Sequence, residues 1–333
     1  MRVLGAKSEV IGDTSRSNPK PGEAVTLTWD MAYPDLKQDD SQLQSFFFTC
    51  TAPERFTGVP VCQELLDANQ NMGGENLLEI YRVFRDRSLD CGNTPDMEIA
   101  AGSLSFVCVK DTPKLRIPIA RNFDAAAKLV QGIICKQGTP VYAADEPSLF
   151  KCTPRPGVDP DDVESIPVYG TIQVERGPEE ANHNPSIDAA HIRFGESENQ
   201  WPTLSPEDEA ELGDDCGSAA RAQDIPSTNG KDEKIVIEYD ADAREVFDGE
   251  PEILEFSTYT TWGELNRRFT VFAPTAKLPL RSELKWNLDQ DLRDELGDRS
   301  RLVRFYFTLI DRRGGYAVTS RELCVGRDLT RAN

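Results

Sequence analysis

Eight cysteines are the residues of this chain whose type and spacing point most clearly to a chemistry. They are Cys50, Cys62, Cys91, Cys108, Cys135, Cys152, Cys216 and Cys324. Zinc sites usually combine close Cys-x-x-Cys pairs with histidine. This sequence has no such pair, and its two histidines, His183 and His191, do not adjoin a cysteine. The pattern therefore predicts disulfides, which persist in an oxidising compartment; the alternative is a set of reduced thiols in the core.

The spacing of the cysteines suggests one set of disulfides. Sequence neighbours give Cys50–Cys62, Cys91–Cys108 and Cys135–Cys152, and the remaining pair is Cys216–Cys324. Eight cysteines allow about a hundred connectivities, so this set is one hypothesis among many. In the chain-entropy description, each short loop closed in this way stabilises the fold by roughly 3 kcal/mol.

Catalytic motifs are absent from the sequence. It contains no Gly-x-Ser-x-Gly, no His-Glu-x-x-His, no phosphate-binding glycine loop and no Gly-x-Gly-x-x-Gly after a strand. A histidine-dependent triad could use only His183, in a predicted linker, or His191, in a strand-like stretch, and both positions favour hydrogen-bonding or packing roles. The sequence therefore predicts no catalytic residue and a protein that is not an enzyme.

Acidic loops make calcium the cofactor to consider. Asp240, Asp242 and Asp248 follow a predicted strand, and hard oxygen ligands on loops between β-sandwiches suit Ca²⁺. Their spacing does not match an EF-hand, and acidic loops usually stay solvated. The sequence predicts no cofactor, with these three aspartates as a calcium candidate.

Two tryptophans suggest an alternative function. Trp201 lies near an acidic stretch and Trp262 lies close to Glu264, so they could form a sugar-binding face with acids beside it. A glycosidase would need two carboxylates at a set separation, which a sequence does not show. A carbohydrate-binding module or glycan-acting enzyme is therefore the alternative, although lone tryptophans in β-proteins more often pack in cores.

The charge of the chain excludes some partners. The formal net charge is −20, and residues 196–250 carry 17 Asp or Glu against 4 Lys or Arg. Such a surface repels phosphate backbones and anionic membranes, so nucleic acid is not expected as a partner. No apolar run approaches the roughly 18 residues that span a bilayer. The start of the sequence has no hydrophobic signal core, so an exported protein requires that Met1 replaces a cleaved leader, with a lipid anchor as one hypothesis.

Most of the chain alternates as strands do. Val25, Leu27 and Trp29 alternate with threonines, and residues 301–310 and 316–325 form the clearest predicted hairpin around Asp311–Gly315. Residues 124–131 are the best helical stretch of their region, with Gly132 as a stop. Turn-rich and acidic stretches suggest three domains, at 1–110, 111–180 and 181–333, the last with an acidic insertion.

Three segments carry a resemblance to a known family. Pro21-Gly22-Glu23 with Val25–Trp29 resembles the second strand of an immunoglobulin-like module. Asn182–Ile187 resembles the first strand of bacterial Ig-like and cadherin-like domains, and Val303–Cys324 resembles the last two strands of such a module. The chain departs from the antibody pattern, because no Cys…Trp…Cys spacing spans a core. The resemblance implies β-sandwich modules of envelope lipoproteins and secreted surface proteins, which scaffold, adhere or bind.

These observations predict an all-β protein of two to three Ig-like antiparallel sandwiches in series, with short helices in loops. We expect it at the cell surface, in the periplasm or outside the cell. The predicted role is non-enzymatic: to bind a partner protein or to self-assemble into a surface structure, with edge strands as the natural docking surface.

Overall fold

The structure is a computed structural model of the 333-residue chain. It describes residues 1–33, 42–53, 62–63, 99–101, 104–143, 150–176, 181–204, 216 and 225–326. The chain divides into two compact units, the first with Met1–Met31 and Asp39–His183 and the second with Ala32–Gln38 and Asn184–Asn333. Each unit is an Ig-like sandwich of mainly antiparallel sheets, which confirms the predicted all-β fold class.

The first unit consists of a three-stranded sheet, a five-stranded sheet and a separate hairpin. Its strands are β1 (Arg2–Val10), β2 (Ala24–Ala32), β3 (Leu43–Thr51), β4 (Ile99–Ala101), β5 (Leu104–Lys110), β6 (Lys114–Pro118), β7 (Ala127–Lys136), β8 (Gly138–Tyr142), β9 (Phe150–Pro154) and β10 (Glu164–Gln173). The strand orders are β1-β2-β6, β10-β7-β3-β5-β4 and β8-β9. Strands β6, β7 and β10 therefore share their sheets with β1, β2 and β3. A 3₁₀-helix spans Pro160–Asp162.

A stacked aromatic pair lies between the two sheets of this unit. The rings of Trp29 on β2 and Phe47 on β3 are parallel within 3°, with centroids 4.5 Å apart. A side chain at Gly132, which lies opposite Phe47 on β7, would collide with the backbone of β3 and with the Phe47 ring. Gly132 thus makes space for the stack, and the alternation of β2 directs Trp29 into it.

The outer face of the five-stranded sheet is also buried. Phe46 and Phe48 of β3 point away from Trp29 and are 1% and 8% exposed. The hairpin β8–β9 covers them, since the ring of Phe150 lies 4.6 Å from that of Phe46. The disulfide Cys135–Cys152 joins β9 to β7, and Cys50–Cys62 joins the end of β3 to the following segment. Disulfides therefore hold a third layer over this sheet.

Strand β7 corrects the helix predicted over residues 124–131. The segment has good helical propensity, but β7 forms from Ala127 between β3 and β10, with ladder hydrogen bonds on both sides. Leu129, Val130, Ile133 and Ile134 are buried on both of its faces. Two ladders and burial on two faces outweigh a local preference of a few tenths of a kcal/mol per residue.

The second unit has two packed sheets and a small hairpin. Its elements are β11 (Ala190–Phe194), β12 (Ser227–Thr228), β13 (Glu233–Tyr239), β14 (Val246–Phe247), β15 (Glu250–Pro251), β16 (Leu254–Thr260), β17 (Glu264–Leu265), β18 (Phe269–Phe272), β19 (Leu280–Asn287), α1 (Gln290–Leu296), β20 (Ser300–Asp311) and β21 (Tyr316–Gly326). The sheets run β11-β13-β19-β17 and β12-β21-β20-β16-β18. 3₁₀-helices span Ile187–Ala189 and Ala241–Ala243. The hairpin β20–β21 confirms the one predicted at the C-terminal end.

Both units follow the same order of sheet crossings. In the first, the chain passes from β2 to β3 in the other sheet, returns at β6 and crosses again to β7. In the second, β13, β16, β19 and β20 take the same four places. Crossing between sheets in this order is the Greek-key connection of Ig-like sandwiches. The sequence shows no strong internal repeat, yet the chain contains one topology twice.

Aromatic side chains dominate the core of the second unit. Trp201, Trp286 and Phe305 are at most 2% exposed, and both indole rings lie within about 5 Å of the Phe305 ring. The indole N–H of Trp201 donates to the Glu322 carbonyl at 2.9 Å. Burying three such rings, with the polar edge of Trp201 satisfied, stabilises this sandwich by several kcal/mol.

Candidate functional site

Strand β18 lies at the edge of the larger sheet of the second unit. Its sequence, Phe-Thr-Val-Phe, alternates, and the inward residues anchor it. Phe272 is 4% exposed in the core, and the hydroxyl of Thr270 lies 2.7 Å from that of Ser282 on the facing sheet. The two remaining side chains, Phe269 and Val271, therefore point outward.

The backbone of β18 is paired on one side only. Its partner is β16, and among the described strands none follows β18 in the sheet order. Thr258 N–H donates to the Arg268 carbonyl at 2.7 Å, which makes these two residues a hydrogen-bonded pair. Hydrogen-bonded pairs alternate along an antiparallel ladder, so Thr270 bonds to β16 while Phe269 and Val271 direct their N–H and C=O groups to the open edge. Within the described residues, no backbone hydrogen bond outside the sheet ladders uses Phe269 or Val271.

The outward side chains of β18 are exposed. Phe269 is 63% and Val271 is 40% exposed, and Leu278, in the loop after β18, is 71% exposed. Single exposed apolar residues are common on soluble proteins. Here two of them belong to the residues that also present open backbone groups, which is the combination that strand addition requires. We call Phe269–Phe272 with its open side the β18 edge.

Basic residues surround the β18 edge. Residues 264–285 contain five basic residues and two acidic ones, in a chain whose net charge is −20. Arg281 forms ion pairs with Glu238 and Glu283, which raises its pKa. Arg267 donates to the Glu283 carbonyl, and a carbonyl does not neutralise its charge. The edge is therefore a positive segment of a negative protein.

The long edge strand of the first unit differs from β18. Strand β10 has ten residues and pairs with β7 alone. It exposes Tyr169 (47%), but Pro167 lies near its centre. A proline without an N–H is a common protection of an edge against added strands. Strand β18 contains neither a proline nor a charged residue.

A buried polar cluster lies where β13 ends and β16 begins. Glu252 and Arg244 are each 7% exposed, and Tyr239 is 3% exposed. Burial, with the nearby Asp311 and Glu245 carboxylates, raises the pKa of Glu252 to about 7, although the Glu245 N–H donates to its Oε1 at 3.1 Å. Burial also raises the pKa of the Tyr239 hydroxyl to about 12. The Arg244 guanidinium donates to the Glu252 and Phe272 carbonyls, which ties this cluster to the end of β18.

The structure brings together most of the predicted cysteine pairs. Cys50–Cys62, Cys135–Cys152 and Cys216–Cys324 are disulfides with Cα separations of 5.6, 5.7 and 5.8 Å. The pair Cys91–Cys108 stays a prediction, because Cys91 lies outside the described residues. The described cysteines include no free thiol. The disulfides shape the units rather than a reactive site.

The three candidate calcium ligands stay a prediction, and two of them have local structural roles. Asp240 caps the short helix Ala241–Ala243 by accepting from the Asp242 N–H at 3.0 Å. Asp248 occupies the turn between β14 and β15 with a φ of 52°. Across the part of the chain that the structure describes, no group of three or more His, Cys, Asp or Glu is placed to hold a metal ion.

The other predicted residues have structural surroundings. Trp201 is 2% exposed in the core, so its face does not reach a sugar. The Arg301 guanidinium covers the half-buried ring of Trp262, 4.8 Å from its centroid. His191 is exposed, with its ring nitrogen 3.4 Å from the Glu198 carbonyl, and His183 forms an isolated bridge with Arg16. The two tryptophans do not form a shared exposed face.

Sequence reasoning missed Phe269 and Val271. The alternation of these residues favours a strand but does not show which side of it would remain open. The available signal was a short alternating apolar segment that directly follows two arginines, Arg267 and Arg268. Whether such a segment is central or at an edge depends on long-range pairing, which one sequence does not reveal.

Comparisons with known proteins give weak structural likenesses. No protein-family model and no curated protein matches the chain. Among solved structures, Escherichia coli alpha-2-macroglobulin activated by porcine elastase aligns over 98% of this chain at 8% identity and a TM-score of 0.20, and this chain spans 22% of its length. The D0-D1 domain of intimin aligns over 97% of this chain and 98% of its own at 7% identity and a TM-score of 0.21. Mouse protocadherin-24 EC1-3 aligns over 70% of this chain and 54% of its own, at 14% identity and a TM-score of 0.16.

Among the described residues, no helix is both long and apolar enough to cross a bilayer.

Proposed function

We propose that this protein is a non-enzymatic docking protein that works at the cell surface, in the cell envelope or outside the cell, and that it binds a partner protein at the β18 edge. One observation carries the proposal: Phe269 and Val271 combine exposed apolar side chains with backbone groups that no neighbouring strand uses. In strand addition, open main-chain groups supply affinity and contacts of alternate side chains supply specificity.

The disulfides support the proposed location. Cys50 and Cys135 lie at opposite ends of the outer face of one sheet, and each attaches a covering segment by a disulfide. Reducing conditions in the cytosol would oppose these bonds, whereas an oxidising compartment maintains them. The formal charge of −20 favours solubility there and disfavours nucleic acid as a partner.

A photo-crosslinking residue at position 269 tests the docking surface. Benzoylphenylalanine replaces Phe269 in the full chain, expressed in its native host, and a second variant carries it at Tyr169, which is similarly exposed on the strand that contains Pro167. We expect a covalent adduct with one defined protein from position 269 and none from position 169. Equal adduct patterns from both positions, or no adduct from position 269, would contradict the proposed surface.

A further inference from the structure

We infer that the occupant of the β18 edge is an acidic extended segment of a partner protein, which adds as an antiparallel strand beside Phe269–Phe272. This inference rests on the proposed docking function and specifies the chemistry of the partner. Three observations lead to it: the direction of the open backbone groups, the alternation of the exposed side chains and the local excess of positive charge.

The open backbone groups require an extended partner. Phe269 and Val271 each direct one N–H and one C=O away from β16, so the edge offers up to four main-chain hydrogen bonds. Only another extended backbone matches their spacing. The sheet is antiparallel from β21 through β20 and β16 to β18, and an antiparallel partner continues that pattern.

The exposed side chains define the apolar part of the partner. Phe269 and Val271 lie on the same outer face of the sheet, opposite Ser257 and Glu255 of β16. A strand on the open side would place alternate side chains of its own beside them, about 5 Å away. Valine, isoleucine or an aromatic residue at two alternate positions fits that contact, because these residues pack well on pleated surfaces.

The charge around the edge defines the acidic part. Arg267 and Arg268 directly precede β18, Lys277 follows it, and all three are exposed. No ion pair joins any of them to a carboxylate of the described residues. Glu255 lies opposite Val271 on β16, towards the other end of the strand. Negative charge on the partner is therefore stabilised most next to the adjacent pair Arg267 and Arg268.

These placements fix the order of residues in the partner. In an antiparallel arrangement, the partner residues that pass Phe272 come first and those that pass Arg268 come last. The acidic residues of the partner therefore follow its apolar alternation. A second copy of this chain fits less well, since antiparallel pairing of two β18 strands would place Ala273–Thr275 of each copy beside Arg267 and Arg268 of the other, and these residues carry no acid.

Synthetic peptides test the inference on the oxidised full chain. The probe has the sequence Ser-Val-Thr-Val-Thr-Asp-Glu-Asp-Glu-Ser and carries a fluorophore. One control replaces its four acids with lysine, and another moves the acids to the N-terminal end. Fluorescence anisotropy at 50 mM and 500 mM salt measures binding, because added salt screens exposed charges. We expect the lysine peptide to bind at least about 10-fold more weakly, the reordered peptide to bind more weakly than the probe, and the probe to lose at least about 5-fold in affinity at high salt.

Variants of the protein assign that binding to β18. Val271→Pro removes an N–H that points outward and leaves the ladder to β16 intact, so it should abolish binding with little loss of stability. Arg268→Gln should weaken binding about 5-fold or more and reduce its salt dependence. Tyr169→Ser, on the other exposed edge, is the matched control and should change nothing. Thermal unfolding of each variant separates lost binding from lost folding.

Some outcomes would overturn the inference. Equal binding of the acidic and lysine peptides, or full binding by Val271→Pro, would show that the partner is not an acidic added strand. A dimer in sedimentation that Phe269→Ser disperses would show that the occupant is a second copy. If the crosslink from position 269 forms while the acidic peptide fails to bind, docking at β18 stands and only the partner chemistry is wrong. If neither the crosslink nor the binding of the acidic peptide is observed, the proposed docking function is wrong as well.

Discussion

At the residue scale, burial in the fold raises the pKa of a single carboxyl group, that of Glu252. It is 7% exposed, its Oε1 accepts the Glu245 N–H, and the Asp311 and Glu245 carboxylates are close enough to oppose its ionisation. Burial is the largest cause of its raised pKa of about 7. The cluster to which it belongs holds the end of β18 through Arg244, so the charge of this one residue affects the stability of the proposed docking unit.

The sign of this effect gives a pH prediction. The pKa of Glu252 is about 7 in the folded state and near its ordinary value of 4.5 in the unfolded chain. As the pH rises, Glu252 therefore loses its proton first in the unfolded state. Its contribution to the free energy of unfolding is fully present below pH 4.5 and is lost as the pH rises to 7. The loss amounts to roughly 3 kcal/mol.

Glu252→Gln isolates that contribution. Its amide oxygen can still accept the Glu245 N–H, but the side chain has no charge to bury. We expect the variant to unfold in urea with a free energy that is nearly independent of pH between 5 and 8, relative to the wild type, and to be more stable than the wild type at pH 8. Glu250→Gln, at an exposed position nearby, is the control. If the free energies of unfolding of the wild type and of Glu252→Gln changed equally with pH, the raised pKa of Glu252 would be contradicted.

At the scale of elements, the hairpin β20–β21 contains a buried ion pair next to the core. Arg304 and Glu322 lie directly opposite each other on its two strands, 3% and 1% exposed at their side chains, and form an ion pair at 2.8 Å. Phe305, which follows Arg304 along β20, packs in the core. A buried pair of this kind costs much desolvation, so it fixes which strands pair more than it adds net stability.

Single and double variants separate these roles. Arg304→Met alone leaves the Glu322 carboxylate buried without its partner and should cost about 3–5 kcal/mol in urea unfolding. Arg304→Met with Glu322→Leu removes both charges and should recover most of that loss. Arg301→Met, at a half-buried position of the same strand, is the control. If the double variant is as unstable as the sum of both single ones, Arg304 and Glu322 are not coupled and this account of the pair is wrong.

Elements with local signals could be predicted from the sequence. The alternation at Val25–Trp29 and the turn residues Asp311–Gly315 each specify a strand or a hairpin without distant partners. The helix predicted over residues 124–131 is wrong because helical propensity is a local property, whereas β7 depends on two neighbouring strands, one of them distant in sequence. The β18 edge could not be predicted for the same reason: a strand is an edge only by virtue of what does not pair with it.

At the scale of the whole molecule, one sandwich topology occurs twice with different covering layers. In the first unit, disulfides from β3 and β7 hold segments over the outer face of the larger sheet. In the second, Cys324 of β21 is bonded to Cys216, and Ile225 packs with Leu302 on the corresponding face. Alternation predicted the sandwiches, but the repetition was invisible because the two units share strand order rather than residues. The predicted boundaries at 110 and 180 remain predictions.

The disulfides should differ in their effect on stability. Cys216–Cys324 spans 108 residues and Cys50–Cys62 spans 12. In the chain-entropy description these loops are worth about 5 and about 3 kcal/mol. Replacing both cysteines of the longer pair with serine should therefore lower the free energy of unfolding more than the same change in the shorter pair. The opposite order in urea unfolding, with peptide mapping to verify the remaining bonds, would contradict the entropic account.

Amide hydrogen exchange at β18 tests most directly the proposal that this edge is open and accepts an added strand. It measures whether the outward amides of β18 are hydrogen-bonded. In the oxidised full chain, the amides of Phe269 and Val271 should exchange rapidly, while the amide of Thr270, bonded to β16, should exchange slowly. Saturating acidic peptide should then protect Phe269 and Val271 and leave Tyr169 unchanged. Slow exchange at Phe269 and Val271 in the protein alone, or no added protection with peptide, would show that this edge is already covered or does not accept a strand.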